Sequence, residues 1–287
     1  MSTMWEEIRF KVLRSGSRLN LLIGINVAVF LAMGIFFAVE SLATGNAALQ
    51  ETTFANLQLP SYLPGLLKHF WTPVTYMFLH EGILSVIFNM LWFYWMGQII
   101  EDYLGGKKLT AVYIFGGLAG ALFYLIAFNT IPTFADARLG TLIIGAPACV
   151  TAVIVAAATL LPNYGVFIIF FEIRLKWLAS IYVVLNLLSL TGPHAAGGFA
   201  QLGAAILGFV FIRQLQNGND WSKPFENLFK PRPKLKIAVK NSGKITNAKP
   251  RQDEIDRILD KISQTGYESL SKQEKETLFR ASSDDKS

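Results

Sequence analysis

Long apolar runs alternate with short polar stretches over residues 20–214 of the 287-residue chain. About twenty apolar residues are enough for a helix to span the hydrocarbon core of a bilayer. By that measure the pattern predicts six spans, at residues 20–39, 82–100, 109–128, 146–161, 176–190 and 198–214. The fourth and fifth spans are short, which indicates helices that begin partway down, behind a loop buried in protein.

The ends of the chain are polar, unlike this middle. Hydrophobic residues make up 52% of the chain and charged residues 16%, against about a quarter in a soluble domain. We therefore expect an all-α membrane protein with polar tails. The predicted segments are a cytoplasmic N-terminal segment (1–19), a membrane domain (20–214), a basic linker (215–250) and a small cytoplasmic helical element (251–287). In the last segment, Ser271 and Glu274 form a capping-box pattern.

Basic residues indicate the orientation of the spans. Lys107 and Lys108 lie between the second and third spans, and Arg174 and Lys176 lie between the fourth and fifth. Loops rich in Lys and Arg stay in the cytoplasm. With an even number of spans, both termini are predicted to be cytoplasmic.

Two stretches between the spans are less regular. The loop from Glu40 to Lys68 contains Pro60 and Pro64, which we expect to exclude helix there. The segment Val166–Trp177 is β-branched and aromatic, so it either begins the fifth helix or forms a short strand pair.

Charge and cysteine content exclude several classes of protein. The net charge of +6 comes largely from the linker after the last span, where basic residues are common, and no nucleic-acid-binding motif is present. The single cysteine, Cys149, rules out a cysteine zinc cluster. We expect neither a metal nor another cofactor. The histidines are His69, His80 and His194.

Polar side chains at membrane depth are rare and raise a functional question. Within the predicted spans we single out Ser85, Asn89, Ser180, Asn186 and Gln201. Ser85 and Asn89 are one helical turn apart and share a face. Their simplest interpretation is hydrogen bonding between helices of the bundle.

Small residues one turn apart predict close approach of helix backbones. Gly116 with Gly120 has this spacing in the third span, and Ala204 with Gly208 repeats it in the sixth.

Three motifs resemble those of rhomboid intramembrane serine proteases. FLHEGILSVIFNMLWFYWMGQIIEDYLGGKK (Phe78–Lys108) is similar to their second helix and the following loop. IIGAPACV is similar to the start of their fourth helix, and GGFAQLGAAILG (Gly197–Gly208) to their sixth. The resemblance runs in order over residues 20–214 and implies a six-helix rhomboid-like bundle. The C-terminal tail resembles that of a bacterial subgroup, which implies the bacterial inner membrane.

The resemblance also implies the positions of the catalytic groups. The nucleophilic serine of the family falls on Pro147, and the basic histidine falls on Gln201. The histidine and asparagine that hold the oxyanion fall on Ser85 and Asn89. A serine hydrolase needs a hydroxyl and a base that takes its proton, and losing either costs on the order of 10⁶ in rate. We therefore expect no catalytic residues and no protease activity.

Inactive rhomboids and derlins suggest what function remains. We expect a protein in the lipid bilayer that binds transmembrane segments of other membrane proteins, with Ser85, Asn89 and Gln201 as the client-binding residues. Two alternatives stay open. One is an active endopeptidase with an atypical site, for example Cys149 with His194. The other is a structural or transport role, in which the polar residues only join helices.

Overall fold

A computed structural model of the protein describes residues 16–45, 48–168, 171–223 and 252–284. These residues fall into two compact units, one within Met1–Lys230 and the other within Pro231–Ser287. Residues 1–15 of the predicted N-terminal segment and residues 224–250 of the predicted linker lie outside the described residues.

Helices make up most of the first unit. They are α1 (Arg18–Thr44), α2 (Ala48–Leu57), α3 (Leu63–Lys68), α4 (Thr72–Thr75), α5 (Ile83–Leu104), α6 (Gly106–Thr130), α7 (Pro147–Leu160), α8 (Leu175–Leu188) and α9 (Ala195–Gln216). By length and composition, α1, α5, α6 and α9 are able to cross a membrane, and α7 and α8 are shorter apolar helices. The predicted helical membrane class is therefore confirmed for the described part of the chain.

Two short strand pairs connect these helices. Strand β1 (Leu59–Pro60) pairs antiparallel with β2 (Leu142–Ile143), and this links the stretch before α3 to the loop that leads into α7. Strands β3 (Gly165–Ile168) and β4 (Phe171–Arg174) form the second antiparallel pair. The β-branched segment therefore forms strands, and the fifth predicted helix begins only after them.

The expectation that prolines exclude helix between Glu40 and Lys68 was wrong. Helices α2 and α3 both lie in this stretch. Pro64 is in the first turn of α3, where its missing N–H is not needed. At the start of α2, the Glu40 carboxylate accepts hydrogen bonds from the backbone N–H groups of Leu49 (2.6 Å) and Gln50 (2.9 Å). A carboxylate at a helix N-terminus satisfies donors that the helix leaves unpaired.

Helix α7 is short but lies at the centre of the first unit, packed against α5, α6, α8 and α9. Ten of its 14 residues are buried. Gly116 of α6 and Gly208 of α9 both face Ala152 of α7, and a Cβ on either glycine would collide with it. A Cβ on Gly120 would lie 2.7 Å from the carbonyl oxygen of Ala200. The predicted close approach of backbones at Gly116, Gly120 and Gly208 is confirmed, and it holds α7 between α6 and α9.

Helix α1 is attached by polar contacts as well as apolar ones. The Glu101 carboxylate near the end of α5 accepts hydrogen bonds from the Ser17 hydroxyl and the Arg18 N–H, each at 2.6 Å. It also accepts one from the Leu19 N–H at 3.2 Å. A side chain 82 to 84 positions away along the chain thus caps the N-terminus of α1.

The second unit is a pair of helices, α10 (Gln252–Thr265) and α11 (Lys272–Asp284). The predicted capping box is confirmed. The Ser271 N–H donates to the Glu274 carboxylate at 2.7 Å, and the Glu274 N–H donates to the Ser271 hydroxyl at 3.3 Å. Ile258 of α10 is buried.

Candidate functional site

The N-terminus of α7 is the position where the family's nucleophile is expected. Gly145 precedes it with a φ of +103°, a conformation that favours glycine, and its N–H donates to the Tyr76 carbonyl at 2.8 Å. Pro147 is the first helical residue, where its ring suits the backbone and its missing N–H is not needed. Its half-buried ring carries no hydroxyl, so this position holds no nucleophile.

Gln201 of α9 lies in a cluster of side chains from three helices. The Tyr182 hydroxyl of α8 is 3.2 Å from Gln201 Oε1, and the Thr151 hydroxyl of α7 is 3.4 Å from the same oxygen. Thr151 also donates to the Pro147 carbonyl at 2.7 Å. The structure therefore brings together the positions expected for the nucleophile and the base, Pro147 and Gln201, through Thr151.

Sequence reasoning missed both Thr151 and Tyr182. Thr151 is one turn after Pro147 and so shares its face of α7, which is a signal the sequence does contain. Nothing in the spacing pairs Tyr182 with Gln201, because the two residues are on different helices.

Ser85 and Asn89 form a separate pair near the start of α5. The Asn89 amide donates to the Ser85 hydroxyl at 3.3 Å, and both side chains are half-buried. The shared face predicted from their spacing is confirmed. No hydrogen bond among the described residues joins this pair to Gln201, although α5 packs against α7.

Ser180 and Asn186 of α8 bond within their own helix. The Ser180 hydroxyl donates to the Lys176 carbonyl at 2.7 Å, and the buried Asn186 amide donates to the Tyr182 carbonyl at 2.9 Å. Among the described residues, neither side chain forms a hydrogen bond to another helix. The predicted role of joining helices therefore does not apply to Ser180 and Asn186.

His80 takes part in a buried network away from Gln201. Its Nε2 lies 3.1 Å from Asn26 Oδ1 in the first half of α1. The Asn26 amide donates to the Tyr113 hydroxyl of α6 at 3.1 Å, and Tyr113 lies 3.3 Å from the Met77 carbonyl. His80 and its hydrogen-bond partners therefore link α1, α6 and the loop before α5.

The other candidates for an atypical site are held apart. His194 is exposed at the N-cap position of α9, and its side chain makes no capping bond. His69 Nδ1 lies 3.1 Å from the Gly65 carbonyl in α3. Cys149 is completely buried, with its sulfur close to Gly117 of α6. Cys149 comes two residues after Pro147, so it lies on another face of α7, turned toward α6 rather than toward Gln201.

A metal centre is not formed by the described side chains. Within residues 16–45, 48–168, 171–223 and 252–284, no three His, Cys, Asp or Glu residues lie together in a way that would hold an ion.

The fold is that of a helical membrane protein, in which longer apolar helices surround the short central helix α7. The family model for the Rhomboid domain matches residues 67–217, more than half of the chain. The chain therefore belongs to the rhomboid family and is an integral membrane protein. A second model, that of a family of unknown function (DUF6576), matches residues 246–284, the stretch that contains α10 and α11.

Curated relatives match a smaller part of the chain. The Rhomboid protease GlpG of Salmonella newport (strain SL254) and that of Salmonella heidelberg (strain SL476) are each 27% identical to it over 82 residues. Each match covers 23% of this chain and 30% of the relative, so the chain aligns with less than a third of the relatives' length.

Proposed function

We propose that this rhomboid-family protein is catalytically inactive and binds transmembrane segments of client proteins. One observation carries the proposal: Pro147 and Gln201, which stand at the nucleophile and base positions by resemblance, lie in one cluster that has no serine and no histidine. The two Salmonella relatives are proteases, and that activity is a property of those proteins.

The chemistry of the cluster supports inactivity. A carboxamide such as Gln201 does not accept a proton near neutral pH, and Thr151 donates its proton to a backbone carbonyl. A serine or threonine hydroxyl is a weak nucleophile unless a base within hydrogen-bond reach takes its proton. No described histidine approaches Thr151, so the cluster lacks the pair that acyl transfer requires.

The proposed topology has six spans with both termini in the cytoplasm of a bacterium, in its inner membrane. Helices α7 and α8, with 14 residues each, are about 21 Å long and thus shorter than the roughly 30 Å core of a bilayer. The buried loop before α7 and the β3–β4 pair before α8 extend these two elements. Lys107, Lys108, Arg174 and Lys176 support the orientation.

Client segments are proposed to bind between α5 and α8. The principal neighbours of α8 are α7 and α9, and its side chains Ile181, Leu185 and Leu188 are exposed. On α5, exposed Leu84 and Phe88 lie beside the Ser85–Asn89 pair along the helix. A helix with few buried side chains is held weakly and is able to move aside for another segment.

Site-specific photocrosslinking tests client binding. A photoreactive amino acid at Phe88 or Leu185 is expected to capture single-spanning membrane proteins in a native membrane. The matched control is Ile35, a similarly exposed apolar position on α1. Equal capture at Ile35 and at the two test positions would contradict the proposed site.

Activity-based labelling tests inactivity. We expect the wild-type protein neither to react with a fluorophosphonate nor to cleave a rhomboid substrate, and we compare it with the Pro147→Ser, Gln201→His double variant. Labelling of the wild type by a fluorophosphonate or a thiol-directed reagent, lost in a Cys149→Ala or His194→Ala variant, would establish the atypical protease instead.

A further inference from the structure

The hydroxyl of Thr151 has one proton and three oxygen neighbours. The Pro147 carbonyl is at 2.7 Å, Gln201 Oε1 at 3.4 Å and the Tyr182 hydroxyl at 3.5 Å. A single proton makes one strong bond, and the 2.7 Å distance is the usual one for a hydroxyl donating to a carbonyl. Thr151 therefore donates to Pro147 and is not the donor to Gln201.

Tyr182 is then the residue that donates to the Gln201 side chain. Its hydroxyl lies 3.2 Å from Gln201 Oε1, and its proton has no shorter bond among the described contacts. This bond turns the amide oxygen toward α7 and α8. The amide nitrogen has no acceptor among the described residues. It lies on the side of Gly197, one turn earlier in α9, where a Cβ added to this glycine would be 3.9 Å from it.

We propose that Tyr182 is a positioning residue that orients Gln201, so that the two amide N–H groups bind a hydrogen-bond acceptor on a client's transmembrane segment. This inference rests on the proposed client binding and states its chemistry. An amide donor at membrane depth gains more from a carbonyl-type acceptor than from an apolar neighbour, because no water replaces the missing bond.

The orientation of the amide decides the selectivity. If the amide were reversed, its oxygen would face the client and would select donors instead of acceptors. Binding of segments that carry only an acceptor or only a donor therefore distinguishes the two orientations.

Three synthetic transmembrane peptides test the proposal on the full-length protein in lipid nanodiscs. They share one leucine-alanine sequence and differ at one central residue: leucine as the reference, N,N-dimethylasparagine as an acceptor without a donor, or tryptophan as a donor without an acceptor. We expect the acceptor peptide to bind about three- to twenty-fold more tightly than the leucine peptide, the usual range for one hydrogen bond between helices. The tryptophan peptide should gain nothing attributable to its N–H.

Variants separate positioning from general structure. Tyr182→Phe should abolish the preference for the acceptor peptide over the leucine peptide. The double variant Tyr182→Phe, Gln201→Leu should lose no more affinity for the acceptor peptide than Tyr182→Phe alone, because both substitutions remove the same interaction. Thr151→Val should keep the preference. Tyr94→Phe, on the exposed face of α5, is the matched control and should also keep it.

Each contrary result overturns the inference. A preference for the tryptophan peptide would show that the amide is reversed. If the preference for the acceptor peptide were lost in Thr151→Val but kept in Tyr182→Phe, then Thr151 rather than Tyr182 would orient Gln201. Equal binding of all three peptides would leave client binding intact and refute acceptor recognition. Binding of no peptide, together with no crosslinking at Phe88 or Leu185, would refute both proposals.

Discussion

Replacing Asn26 by leucine tests what holds α1 against the rest of the membrane domain. Asn26 is completely buried although it lies in a membrane-spanning helix. Its amide donates to the Leu22 carbonyl at 2.9 Å and to the Tyr113 hydroxyl at 3.1 Å, and its Oδ1 lies 3.1 Å from His80 Nε2. Leucine has a similar shape and removes every one of these bonds.

The magnitude follows from the groups that lose their partners. His80 Nδ1 already has no hydrogen-bond partner, so the substitution leaves both ring nitrogens of a buried histidine unpaired. Tyr113 keeps its contact with the Met77 carbonyl at 3.3 Å. One newly unsatisfied buried group costs about 1–3 kcal/mol. We expect Asn26→Leu to lower the free energy of unfolding by that amount.

The free energy of unfolding is measured by titrating SDS into detergent micelles that contain the full-length protein. The control is Asn56→Leu, because the Asn56 amide bonds only to the Thr52 carbonyl of its own surface helix. Removing both partners of a buried bond is cheaper than removing one. The double variant Asn26→Leu, His80→Leu should therefore be more stable than the sum of the two single effects predicts.

Two results would refute this reasoning. A change for Asn26→Leu within about 0.5 kcal/mol of that for Asn56→Leu would show that the network does not hold α1. Strict additivity of the Asn26 and His80 substitutions would show that the two side chains are not coupled.

Three further predictions concern other contacts. Gly116→Leu should destabilise the protein by about 3 kcal/mol in the same titration, because any Cβ there collides with Ala152, and unchanged stability would contradict the close packing. Glu101→Gln should weaken the cap of α1 by about 1 kcal/mol and speed hydrogen exchange at the first amides of α1, and unchanged exchange would contradict the cap. The Ser271 N–H holds the pKa of Glu274 at about 2, below its ordinary 4.5, so the capping box should be stable above pH 4.5 and be lost as the pH falls toward 2. The protection factor of the Ser271 amide, which compares its exchange with that of an unfolded peptide at the same pH, should fall over that window, and a constant protection factor would contradict the prediction.

The starts of the apolar helices were predictable, because a membrane helix needs a continuous apolar stretch that is visible in the sequence. The second predicted span begins at residue 82 and α5 begins at Ile83, while the fourth begins at 146 and α7 at Pro147. The site of close helix packing was also predictable, since Gly116 and Gly120 leave room for a neighbouring backbone whatever that neighbour is.

Helix α2 shows why other elements were not predictable. The stretch is weakly patterned, and its first N–H groups are satisfied by Glu40, a side chain in the preceding helix. This cap forms only when the chain folds back so that the end of α1 meets the start of α2, and no pattern within α2 indicates it. The same holds for Glu101, which caps α1 from the far end of α5.

At the candidate site, too, some features follow from the sequence and others only from the tertiary structure. The sequence by itself determined that no serine stands at position 147 and no histidine at position 201, and that Ser85 and Asn89 share a helix face, because identity and spacing along one helix need no partner. Only the tertiary structure decided that Tyr182 and Thr151 meet at Gln201. Three different helices bring these side chains together, and nothing in the spacing along one helix pairs a residue of α8 with a residue of α7 or α9.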